Sequence, residues 1–162
     1  MRLLPWILSW FMPLCGTQGA NGVPQPGVVD FAHLVPMSHS EALIAPAGFH
    51  AAPDITAPIF PAPAKQLFAA LQMVAAAQPR SYLLDTEPAA LQTAYVVRSA
   101  AANFPDVVEL EAVPMGPASS SYILYSHAVY GVSDYGVNLG HAKNWACALE
   151  KREDNKASCN AQ

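Results

Sequence analysis

The chain has 162 residues, 52% of them apolar and only 12% charged, with a net charge of −4. That length bounds the chain to one domain with extensions, and a charged fraction well below the usual level of about 25% points to a surface covered by a partner, a membrane or the chain itself. No Lys or Arg occurs between Arg2 and Lys65, and the remaining basic residues are scattered. Nucleic-acid binding, which needs clustered basic side chains to displace counterions from phosphates, is excluded as an expectation.

The first element is an apolar run, Leu3 to Leu14, behind a single Arg2. It is shorter than the ~20 residues of a spanning helix and is broken by Pro5 and Pro13, so residues 1–20 read as a signal peptide or a membrane anchor, with membrane association through residues 1–16. Residues 21–63 carry eight prolines. Proline removes amide donors and biases the preceding residue away from helix, so this segment is expected to be an extended arm with no helix and no central strand. Phe31, Leu34, Leu43, Ile44 and Phe49 make it too apolar for a solvated linker, and it is expected to wrap on the domain.

The domain is expected over residues 64–152. Leu67, Leu71, Val74 and Ala75 recur at helical spacing from Ala64 to Gln78, and Pro79 stops that helix. Four strands are expected next: 81–84, 93–99, 106–113 and 121–128. In the third, Val108, Leu110 and Ala112 oppose Glu109 and Glu111, which predicts one buried and one wet face. A second helix is expected from Leu139 to Lys151, with Asn138 as its N-cap and Ala142, Trp145, Ala146 and Leu149 as its apolar stripe. Residues 153–162 read as a polar tail. Cys147 and Cys159 could form a disulfide in an oxidising compartment. The order of elements predicts an α+β fold: a two-layer sandwich of a four-stranded antiparallel sheet flanked by two helices on one face, leaving the opposite face for the Pro-rich N-terminal arm.

Three blocks carry a family resemblance. Tyr95-Val-Val-Arg-Ser99, Asn103-Phe-Pro-Asp106 and Tyr125-Ser126…Tyr130-Gly-Val-Ser-Asp-Tyr-Gly-Val-Asn138 resemble the bacterial family called domain of unknown function 1499, over about Phe60 to Leu149. The resemblance implies a small exported domain, periplasmic or anchored to the bacterial envelope, with no established chemistry. That family tends to place arginines where His127, Leu139 and His141 stand here, which weakens any anion site carried over from it.

Two constellations have a structural and a functional reading. Ser133-Asp134 and Asn138 suit the capping of a helix start or a polar pocket. Arg98 and Asp106, near the ends of adjacent strands, suit a cross-strand salt bridge or an anion hook. The expected binding residues are therefore Arg98, Asp106, Tyr130, Ser133, Asp134 and Asn138. The function expected is a cell-envelope binding or structural module for an apolar or amphipathic ligand or an envelope protein, held between the open sheet face and the arm, with no cofactor, metal or catalysis. The alternative is a small hydrolase or isomerase using Asp134 with His127 or His141. The spacing of those histidines is poor for zinc, and no Gly-x-Ser-x-Gly elbow is present.

Overall fold

A computed structural model describes residues 16–36, 40–130 and 135–153. Its strands are β1 (Glu41–Pro46), β2 (Ile55–Ala57), β3 (Ser81–Glu87), β4 (Gln92–Arg98), β5 (Pro105–Gly116) and β6 (Ser119–Ala128). Two α-helices, α1 (Ala64–Ala77) and α2 (Val137–Glu153), and a 3-10 turn at Phe31–His33 complete the described elements. The strands form one sheet in the order β2-β1-β6-β5-β4-β3. β1 and β2 run parallel, and every other neighbouring pair is antiparallel.

The α+β class holds, but the four-stranded antiparallel sheet expected from the sequence is overturned: the sheet has six strands and is mixed. The two additional strands come from the Pro-rich segment. Its prolines are dense on average yet leave Glu41–Ala45 free between Pro36 and Pro46, and Ile55–Ala57 free between Pro53 and Pro58. Pro46 ends β1 opposite Ala57, where loss of one amide donor does least damage to a ladder. β1 is an inner strand, with β2 on one side and β6 on the other. Asp54 ties the β1–β2 junction: its carboxylate accepts from the Leu43 amide (2.8 Å) and its own amide donates to the Leu43 carbonyl (2.8 Å).

Strand alternation sends side chains to two differently covered faces. On one, Ile44, Tyr95, Val97, Val108, Leu110 and Leu124 pack against Leu67 and Leu71 of α1 and Trp145 and Leu149 of α2 in a single core. The Trp145 ring meets Tyr95 edge-on at 6.1 Å. On the other face, Val23 packs with Leu84, Ala94, Val96 and Val107, while Phe31 packs with Leu43, Ala45, Ile123 and Tyr125. The segment from about residue 17 to residue 34 thus lies across the sheet face opposite the helices. The face of β5 that carries Glu109 and Glu111 was expected to be wet; the arm covers it, and Glu109 is buried.

Candidate functional site

Arg98 sits at the end of β4 and points to the arm. Its side chain is 2% exposed, and its guanidinium donates to the Gly19 carbonyl (2.9 Å), the Thr17 hydroxyl (2.8 Å), and the Asn21 (3.2 Å) and Asn103 (3.2 Å) carbonyls. Asn103, in a left-handed turn with φ 58°, donates from its amide to the Thr17 carbonyl at 2.7 Å. Arg80 supports the same corner through the Arg98 carbonyl (2.7 Å) and the Asn103 side-chain oxygen (2.6 Å). A buried guanidinium needs most of its five donors satisfied, and here main-chain oxygens of the arm and the β4–β5 turn supply the acceptors. Arg98 therefore fastens the arm.

Asp106 does not join it. The ladder sets Asp106 opposite Val97 and Arg98 opposite Pro105, so the two charges project to opposite faces of the sheet. The cross-strand salt bridge expected between them is overturned by this register. Asp106 faces the helices, where one carboxylate oxygen lies 3.8 Å from Nδ1 of His141 on α2.

Asn138 is also corrected. It lies inside α2 rather than capping it, and its side chain is fully buried. Its Oδ1 accepts from the Ser126 hydroxyl (2.5 Å), and its Nδ2 donates to the Ser40 carbonyl (3.1 Å). These bonds pin the start of α2 to β6 and to the entry of β1. Tyr130 follows the end of β6. Ser133 and Asp134 lie outside the described residues, so the polar corner expected around them has no structural account here. Cys147 on α2 is disulfide-bonded, and Cys159 lies outside the described residues.

His127 and His141 cannot serve one reaction centre together. His141 is on the helix side; His127 shares the arm side with Ile123 and Tyr125, its ring stacked on that of Tyr125 at 5.1 Å. Burial holds the His127 pKa below its ordinary value. Among the described residues no group of three or more His, Cys, Asp and Glu is placed to hold a metal, and no helix is long and apolar enough to cross a membrane.

The polar residues that do converge lie under the arm. Gln92 of β4 accepts from the Val29 amide at 2.8 Å and donates both to the Val29 carbonyl (2.9 Å) and to Glu111 (2.7 Å). Asp85 accepts from the Gly27 amide at 2.9 Å, and Gln25 donates to the Leu84 carbonyl at 3.0 Å. Tyr125 donates to Glu41 at 2.5 Å. Between β4 and β6, Glu109 is 8% exposed, and burial raises its pKa from 4.5 to about 7. Burial also raises the pKa of Glu111, against the opposing bond from Gln92. Where the arm passes Ile123, a groove of about 350 Å³ opens, walled by Val29, Phe31, Pro46, Phe49, Val113 and Ile123, with Asp30 and Glu111 as its charged members.

No family model and no curated protein matches this chain. Three solved structures do. The di-domain ARO/CYC protein BexL of the BE-7585A biosynthetic pathway is similar over 71% of this chain and 46% of its own, at 14% identity and a TM-score of 0.46. A protein of Thermobifida fusca is similar over 70% of this chain and 95% of its own (10% identity, TM-score 0.43), and one of Thermus thermophilus over 73% and 99% (11% identity, TM-score 0.39). The chain spans less than half the length of BexL. Likenesses this distant carry no argument about activity.

Sequence reasoning missed Gln92, Glu109, Glu111, Glu41 and Tyr125 as a group. One signal was available. Val107, Ile123 and Tyr125 share a face with Glu109 and Glu111, and a face so mixed is not a plain solvated one.

Proposed function

We propose that the protein is a non-catalytic binding module that takes an amphipathic organic cation on the sheet face covered by the arm. The observation that carries this reading is the groove beside Phe31. Its volume of about 350 Å³ falls within the range of small-ligand sites, and its apolar walls meet charge only at Asp30 and Glu111. An apolar tail along Phe49, Val113 and Ile123 loses water at no polar cost, while a cationic head near the carboxylates gains charge-assisted hydrogen bonds. A fatty acid would bring its own carboxylate against Glu111.

An exported setting is part of the proposal. The apolar leader behind Arg2 and the disulfide of Cys147 both favour a compartment outside the cytosol. Isothermal titration with dodecylamine, dodecanol and dodecanoate, each below its micellar concentration, tests the ligand class. The amine should bind at least about ten-fold more tightly than the acid. Absence of binding by all three, or equal binding of amine and acid, overturns the reading.

A further inference from the structure

Behind the Val29–Phe31 stretch lies a second, more enclosed space, lined among others by Gly27, Asp85, Thr93, Ala94 and Glu109. Val29 and Phe31 line both this space and the outer groove, so that piece of the arm is the partition between them. Glu109 projects into the enclosed side. The residue is more than nine-tenths buried and no side-chain hydrogen bond joins it to a described residue, while its carboxylate oxygens keep some contact with solvent. Burial without a partner disfavours the charged form of a carboxyl, and a cation placed beside it would offset that cost.

The surroundings are acidic. Glu111 follows on the same strand; Asp85 and Glu87 come from β3, and Asp30 from the arm. Across the ladder stands Tyr125, bonded to Glu41 of β1. Among the described residues, the basic groups on or beside this arm are His33, bonded to Asp30 (2.8 Å), His50, bonded to the Leu34 carbonyl (2.8 Å), His127, which burial disfavours from taking a proton, Arg80, committed to the end of β4 and the β4–β5 turn, and Arg98, committed to that turn and the arm. None of the residues lining the space is basic. Its free volume is about 10 Å³, room for one group the size of a water molecule. An ammonium nitrogen has that size, donates hydrogen bonds and carries the charge that Glu109 lacks beside it.

We propose that Glu109 is the counter-charge of an inner subsite for the ammonium head of an organic cation, entered from the groove when the Val29–Phe31 partition moves aside. The tail's place rests on the amphipathic-ligand reading above, whereas the head's place rests on Glu109. The partition is held by the two Gln92 bonds to Val29 and the Asp85 bond to Gly27, and none of these belongs to a strand ladder.

The test uses the head group alone. Thermal melting of the full chain at pH 8 is compared in methylammonium chloride, tetramethylammonium chloride and sodium chloride at equal ionic strength. Methylammonium should raise the melting temperature above that in sodium, and tetramethylammonium, too large for the space, should not. The Glu109→Gln variant should lose the methylammonium effect. An equal response of wild type and variant, equal stabilisation by the two ammonium ions, or no response of the wild type overturns the subsite. Dodecylamine affinity, read separately, should fall at least about ten-fold in Glu109→Gln with dodecanol unchanged. A methylammonium effect that persists without dodecylamine binding leaves the subsite standing and removes the groove.

Discussion

Glu109 and His127 lie on the same side of the sheet, and burial makes them respond to pH in opposite ways. Glu109 has a folded pKa of about 7 against 4.5 when unperturbed, so its protonated form is the one the fold favours. Its contribution is complete below about pH 4.5 and is lost as pH rises through 7, for a total of up to about 3 kcal/mol. His127, with its folded pKa lowered, contributes above its unfolded pKa and loses that contribution as pH falls. Wild type should therefore melt at a lower temperature at pH 8 than at pH 5.5, by several degrees. Glu109→Gln, neutral at every pH, should remove most of that decline and be the more stable form at pH 8. Calorimetric scans across this range check it, and a variant with the same alkaline decline as wild type contradicts the assignment. None of this was legible from the residue alone: alternation put Glu109 correctly opposite Val108 and Leu110, but what covers that face is a segment some eighty positions upstream. Arg98 shows the same limit. A lone charge on an apolar strand was visible; that its acceptors are arm carbonyls was not.

At the scale of elements, the arm is bound by the sheet much as a peptide is bound by a protein. Side chains of Arg98, Asn103, Gln92 and Asp85 read its main chain, and Val23 and Phe31 insert as apolar anchors. These contacts are separable from the ladders, so the arm should open without global unfolding. Gln92→Ala removes both bonds to Val29 and one to Glu111. Hydrogen exchange at the Val29 amide should then accelerate by about ten-fold or more, while amides inside β5 and β6 keep their protection. Uniform acceleration would mean that the arm and sheet unfold as one unit. Both helices and strands β3 to β6 were legible because each contains a stretch free of proline long enough to be read, although β5 begins at Pro105 and runs on past Pro114 beyond the expected 106–113. β1 and β2 were not, because the count of prolines was averaged over a segment in which their spacing mattered more. Asn138 was legible as important but not in role, since its partners Ser126 and Ser40 come from two other elements.

For the whole molecule, one sheet separates two kinds of packing. The helix side is one continuous core, in which Leu124 of β6 is buried among residues of α1, α2 and the neighbouring strands. The arm side is two smaller clusters, with polar side chains and open volume between them. A buried leucine truncated to alanine leaves a cavity that close-packed surroundings fill only in part, which costs about 2–5 kcal/mol. Leu124→Ala should lower the melting temperature by roughly 5–15 °C. Phe31→Ala removes a larger side chain, yet its site borders the groove and the arm can detach. Its cost is thus capped near the free energy that docks the arm, because beyond that point the undocked form takes over with the sheet intact. The melting temperature should fall less than for Leu124→Ala, while exchange at the Val29 and Gly27 amides quickens. A Phe31→Ala chain that loses as much global stability as Leu124→Ala would show that both faces of the sheet form a single cooperative core, and a movable partition over Glu109 would then be untenable.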